Sequence, residues 1–465
     1  MKRYFYKSGL LAFAAVAFLT SCDPEIDAPK TSAGEANFTK YISVGNSLTA
    51  GYMDGGLYRE GQQNSYPNIL SQQFRQVGGG EFVQPLFSES QKNGSGYLTL
   101  TGFTSSGLPI TSNVTTELAI RSASPLLYTK FTDPVNNLGV PDIRIADVKT
   151  AGYGGTQGNP YFERITSDPN QTYLQRIQAS TDHTFFTNWL GNNDVLLYAT
   201  RGGFAGTLTD VTTFTTNYTE VLDALTANGA KGLVATIPDV ASVPFFTTAG
   251  PSIKTALTLA GVPGMVALTG SGNSRIIFPV TNIRDASGSG KLLFPLTAAS
   301  YAPLIGKPGG KFWREFSKQV NPGNSGLVLT SFIVGLQLDT TQLFGLSSGN
   351  PWPSLLLLDE TEQAAVKDRT IIFNDIIKAQ AAAKNLAVFD AFTYFNSIQG
   401  GFSANQVSYS PAFITGNLFS LDGVHPSPRG YAVVANEMIK AINAKYNAAI
   451  PTTDVSKFRA VLFPN

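Results

Sequence analysis

The sequence predicts an α/β protein built on a mainly parallel sheet with helices on both faces. Apolar runs ending in polar or glycine-bearing turns recur along the chain, and amphipathic segments fall between them. Composition agrees with a large core. Of 465 residues, 43% are hydrophobic and 14% charged, and 45 glycines suit a loop-rich globular chain.

The first strand is read at Lys40–Gly45, and the amphipathic segment Tyr66–Val77 follows it. The second strand is read at Val135–Val140 and the third at His183–Leu190. A helix over Phe214–Ala227 leads to the fourth strand, Gly232–Pro238. A longer helix, Asp359–Asn385, leads to the fifth, Leu386–Ala391. Asp359 as N-cap, with Glu362 three residues on, gives that helix a capping-box start. Arg429–Tyr446 closes the folded region as a helix. Two stretches break the alternation: about 78–134, rich in Gly, Ser and Thr, and about 241–350, with many Gly and Pro residues. Structureless loops of that length are rare inside a compact domain, so both are insertions with structure of their own or separate domains. The folded region is therefore 39–450, with a tail at 451–465.

The N-terminus carries a different signal. Lys2, Arg3 and Lys7 flank the apolar run Gly9–Leu19, which is too short to span a hydrocarbon core of roughly 30 Å. Residues 1–21 read as a signal peptide. The run ends in Leu19-Thr20-Ser21-Cys22, which resembles the bacterial lipobox. That resemblance implies lipidation of Cys22 and a mature chain beginning there. Residues 22–38 read as a tether, and their acidic start resembles the surface-export signal of Bacteroidota lipoproteins. Together these imply an exported protein held at the outer membrane by its lipid, on the periplasmic or cell-surface face. Cys22 is the only cysteine, so no internal disulfide forms. A net charge of +1 offers no basic field, which argues against a nucleic-acid partner. No oligomeric state is specified.

Candidate chemistry begins where the first strand runs into Val44-Gly45-Asn46-Ser47-Leu48. A serine between a strand end and a helix exposes its hydroxyl beside free backbone N–H groups. Serine needs a base, and that base needs an orienting partner. The chain has two histidines. His183 opens a strand, where a structural role is expected. His425 lies in Leu421-Asp422-Gly423-Val424-His425-Pro426, where an aspartate three residues earlier can accept the imidazole Nδ1–H and leave Nε2 facing the serine. The third strand ends in Gly191-Asn192-Asn193-Asp194, and an asparagine there can donate its amide to a developing oxyanion.

These pieces resemble the SGNH (GDSL-type) hydrolase family. Gly45-Asn46-Ser47-Leu48 matches its first block with Asn46 in place of aspartate. Gly191–Asp194 matches the GxND block, and Asp422–Pro426 the DxxHP block. The family's second block supplies a glycine after the second strand, whereas Asn137-Leu138-Gly139-Val140-Pro141-Asp142 has aspartate at the corresponding place. The resemblance implies a three-layer flavodoxin-like fold with a five-stranded parallel sheet and two large insertions. It also implies hydrolysis of a carboxylic ester through an acyl-serine, with Ser47 as nucleophile, His425 as base and Asp422 orienting it. Ser47 N–H, the Asn193 amide and a second-block N–H, from Gly139 or Asp142, would hold the oxyanion. The substrate class is a small ester, a lipid or an acylated glycan, so a lipolytic esterase and a glycan deacetylase both fit. No metal or cofactor is called for. The contrasting reading is a catalytically inactive lipoprotein that binds a glycan or lipid.

Overall fold

A computed structural model describes residues 30–464 apart from 105, 106, 205, 271 and 405. The expected signal peptide, Cys22 and most of the expected tether lie outside the described residues. Residues 32–465 form one compact unit.

Five strands make the central sheet: β1 (Tyr41–Gly45), β2 (Asn137–Gly139), β3 (Phe185–Trp189), β4 (Lys231–Ala235) and β5 (Ala387–Phe389). Their order is β5-β4-β3-β1-β2 and all pairings are parallel. This is the flavodoxin-like doubly wound arrangement, which gathers loops at the carboxyl ends of the strands. The helices that matter to the site are α1 (Ser47–Ala50), α2 (Tyr66–Arg75), α3 (Asn193–Ala199), α4 (Val211–Thr226), α5 (Glu360–Ala383) and α6 (Pro428–Tyr446).

Strand alternation sorts side chains into two cores. Ile42, Val44, Phe186 and Val234 join one face, which α4 and α5 cover through Phe214, Tyr218, Phe373 and Ile377. Tyr41, Phe185, Trp189 and Leu233 join the other, covered by α2 and α6 through Ile69, Phe74, Tyr431 and Met438. The strands are shorter than the apolar runs that encode them. β4 stops at Ala235 because side chains take over its backbone: the Asn374 Oδ1 accepts the Ile237 N–H at 2.7 Å and its Nδ2 donates to the Ile237 carbonyl at 2.9 Å. β5 ends because Asp390 caps the helix Ala391–Ser397 by accepting the Thr393 N–H. Both halves of the capping box at Asp359 and Glu362 are formed.

The stretch 78–134 holds two antiparallel hairpins, Leu98–Phe103 with Pro109–Asn113 and Ile120–Ala123 with Leu126–Tyr128. It starts where Val83 N–H meets Asn136 Oδ1, before β2, and crosses to the carboxyl edge, where Leu98 N–H donates to the Asp54 carbonyl at 2.7 Å. The second insertion has its own core around Met265, Phe294, Trp313 and Trp352. It reaches past residue 350, since Leu293 and Leu358 exchange both backbone hydrogen bonds.

Two boundaries are corrected. Residues 32–38, read as tether, pack on the body. Ser32 and Glu35 bond the backbone around Tyr446 and Ala449, and Ala36 and Phe38 are buried. Their apolar side chains fill the face under α6, so burial outweighs the coil entropy of a free linker. The tail read at 451–465 also docks, with Arg459 forked onto the Glu60 carboxylate at 2.5 and 2.8 Å and Val461 buried.

Candidate active site

β1 delivers Ser47 to the carboxyl edge. Gly45 is required at the strand end, since a Cβ there would lie 2.0 Å from Thr49 Oγ1. Asn46 is the N-cap of α1, its Oδ1 accepting the Leu48 N–H at 3.0 Å. This explains how asparagine serves in the first block: a cap needs only the carbonyl oxygen. The Ser47 N–H has no acceptor among the described residues.

The structure brings Ser47, His425 and Asp422 together. His425 Nε2 lies 2.9 Å from Ser47 Oγ, and His425 Nδ1 lies 2.9 Å from Asp422 Oδ2. The Asp422 carboxylate is held on every side. Its Oδ1 accepts the Val424 and His425 N–H groups, both at 2.8 Å, and its Oδ2 also accepts the Gly55 N–H at 2.9 Å. Burial works to raise its pKa, but the adjacent His425 and these N–H groups outweigh burial and hold it below the ordinary carboxylate range. Gly423, at φ 71, makes the tight turn between the two residues. A side chain there would also press on the Phe245 backbone, whose N–H bonds the Gly423 carbonyl.

Several supporting residues carry no signal in the Ser, Asn or His motifs. Tyr52 lays its ring 4.8 Å from the His425 ring. Asp54 ties the two halves of the site: its Oδ1 accepts the Leu421 N–H at 2.8 Å and its own N–H donates to Ser420 Oγ at 2.9 Å. The only sequence cue was the turn-forming Asp54-Gly55 pair.

The Gly139 and Asp142 N–H groups differ in their hydrogen bonding. Asn137 Oδ1 accepts the Gly139 N–H at 2.9 Å, which withdraws Gly139 as a donor and corrects its place among the candidates. The Asp142 N–H has no acceptor among the described residues, and Asp142 adopts the left-handed conformation at φ 67 that a glycine would favour. The Asp142 side chain is exposed. Crowding by protein raises its carboxyl pKa despite the opposing pull of His425 and Arg201. The Asn193 Nδ2 donates to the Ile143 carbonyl at 2.9 Å, which sets that amide beside the same turn. Asp194 anchors the loop from below, accepting the Ile145 N–H at 2.7 Å, the Ala146 N–H at 3.2 Å and the Thr209 hydroxyl at 2.7 Å.

An apolar cleft adjoins these residues, lined by Leu48, Trp189, Val243, Phe419, Val424 and Pro426. A larger cavity, about 720 Å³, lies elsewhere, beside His183 and Glu220. His183 is buried, with its ring nitrogens 2.6 and 2.7 Å from the Ser180 and Leu225 carbonyls. It holds the turn before β3 against the end of α4. Converging polar groups, not volume, make the Ser47 edge the candidate site.

No protein-family model matches the chain, and no curated protein does. Among solved structures, the lipase/acylhydrolase from Enterococcus faecalis is similar at 10% sequence identity, over 89% of this chain and 99% of that one, with a TM-score of 0.32. A likeness that loose adds nothing to what the strand order and the site geometry state.

Proposed function

We propose that the protein is a serine hydrolase of carboxylic esters that works through an acyl-serine. The observation carrying this reading is the pair of 2.9 Å hydrogen bonds joining Ser47 Oγ, His425 and Asp422. Ser47 Oγ attacks the ester carbonyl while its proton passes to His425 Nε2. Asp422 keeps the Nδ1 proton in place and stabilises the imidazolium that forms. The carbonyl oxygen, now negative, is met by the Ser47 and Asp142 N–H groups and by the second N–H of the Asn193 amide, the first being committed to Ile143. Collapse expels the alcohol, which takes the proton from His425. Water then adds to the acyl-serine with the same histidine as base, and the second collapse breaks the bond between Ser47 Oγ and the acyl carbon, releasing the acid while His425 returns the proton to Ser47. The apolar cleft beside Leu48 suits the acyl side of a lipid or small ester.

Labelling with a fluorophosphonate probe tests this reading. The wild-type chain is expected to label once, and Ser47→Ala and His425→Ala chains of equal folded content are not. An unlabelled wild type that melts cooperatively would restore the reading of an inactive binding protein. Export and lipid anchoring through Cys22 belong to the same proposal. Metabolic incorporation of an alkynyl fatty acid should mark the wild type and spare Cys22→Ser.

A further inference from the structure

The four most exposed large hydrophobic side chains among the described residues all belong to the second insertion: Leu259, Ile277, Leu327 and Val334, between 71% and 84% exposed. The helix Ser325–Gly335, SGLVLTSFIVG, carries no charged residue and yet buries none of its residues; on its outer side Thr330 and Ser331 turn their hydroxyls back onto the Gly326 and Leu327 carbonyls, both at 3.0 Å. Its inner side reaches the insertion core only through half-buried Leu329, Phe332 and Ile333, with Phe332 stacked 5.2 Å from Phe316. The outer stripe, Leu327 and Val334 at a spacing of two turns, faces solvent. A helix this apolar is normally enclosed by protein or lipid.

The neighbouring helix, Lys311–Val320, packs antiparallel in the same hairpin and supplies the complement. Phe312 and Trp313 face inward, while Lys311, Arg314 and Lys318 form an exposed row at i, i+3 and i+7, with Lys307 exposed just before it; Glu315 pairs with Lys311 at 3.8 Å and leaves Arg314, Lys318 and Lys307 as the net positive charge of the row. Residues 241–350 carry eight basic residues against three acidic ones, whereas the whole chain is nearly neutral at +1. Arg275 extends the surface: its guanidinium donates to the Leu336 carbonyl at 2.6 Å, which ties the end of the apolar helix to the strand bearing exposed Ile276 and Ile277.

We propose that this helical hairpin is a docking surface for an anionic lipid bilayer. Helix Ser325–Gly335 lies in the interface with Leu327 and Val334 among the acyl chains, and the Lys311–Lys318 row meets the lipid phosphates. Charge selects this occupant. A second copy of the chain packed about a two-fold axis would bring the same basic row against itself, which favours a negative surface instead. The proposal stands apart from the hydrolase reading, because none of these residues touches Ser47, His425 or Asp422.

Co-sedimentation with vesicles tests it, using the chain from residue 23 onward, which holds the whole compact unit and lacks the apolar leader. The chain should sediment with phosphatidylcholine vesicles containing phosphatidylglycerol, less with phosphatidylcholine alone, and less again at high salt. Leu327→Ser with Val334→Ser should weaken binding by roughly tenfold or more, because two exposed apolar side chains no longer enter the interface. Arg314→Glu with Lys318→Glu should remove the preference for anionic vesicles. Both pairs lie on the surface, so turnover of a soluble ester and the melting temperature should stay unchanged. The idea is overturned by a folded wild type that binds neither vesicle, or by substituted chains that bind as well as wild type. Concentration-dependent self-association abolished by the Leu327 and Val334 substitutions would also overturn it, assigning the face to a second copy.

Discussion

The side-chain amide of Asn193 donates to the Ile143 carbonyl at 2.9 Å, joining the turn after β2 to the first residue of α3. One N–H of the amide is thereby fixed and the other is aimed by the same bond. Asn193→Ala is expected to lower kcat toward a p-nitrophenyl ester by roughly 10²–10³, the usual cost of losing one oxyanion donor. A rise in KM at constant kcat would reduce Asn193 to a turn residue.

Asp142 offers the proposed reaction its backbone, not its carboxylate. Glycine at this position adopts φ 67 without strain and keeps the N–H. Asp142→Gly should therefore retain kcat within a few-fold or raise it, since a negative charge beside the forming oxyanion is removed. Steady-state kinetics on the purified variant decide the point. A loss as large as that of Asn193→Ala would mean that the carboxylate itself acts.

Acid inactivation should involve a single proton. His425 must be neutral to accept the Ser47 proton, whereas Asp422 must be ionised to hold the imidazole. Because the Asp422 pKa is depressed, its carboxylate persists as pH falls, and its share of stability disappears only below the ordinary carboxylate range of about 4. The acid limb of log kcat/KM against pH should have a slope of one down to that range. A steeper limb above that range would show the Asp422 carboxyl taking up its proton there, against its depressed pKa.

Asp194 should make itself felt in stability instead. It is buried, and burial raises its pKa to about 6 in spite of three hydrogen bonds. A carboxyl raised in the folded state favours folding when protonated. Its contribution is present below the ordinary value near about 4 and is lost as pH rises through about 6. The melting temperature of the wild type relative to Asp194→Asn is expected to improve between pH 7 and pH 4.5. A constant difference across that interval would place the Asp194 pKa outside it.

The order of strands and helices, and the positions of Ser47, Asn193, Asp422 and His425, were legible in the sequence because each rests on residues close together in the chain. Apolar runs such as Tyr41–Gly45 supply both covered faces of the sheet, and Asp422 reaches His425 across three residues. Tertiary structure decided everything that depends on a partner far along the chain. Asn137 and not the backbone pattern determines that Gly139 is spent as a donor and Asp142 is free. The support given to Asp422 and Leu421 by Gly55 and Asp54 spans 367 residues in each case, and no local pattern announces it. Residues 32–38 and Arg459 looked like free ends for the same reason. Short polar segments carry no period of their own, and only the surface they meet determines whether they bind it. Local propensity writes the elements and their motifs, while hydrogen-bond pairing between distant segments is settled only when the two cores close and place those segments side by side.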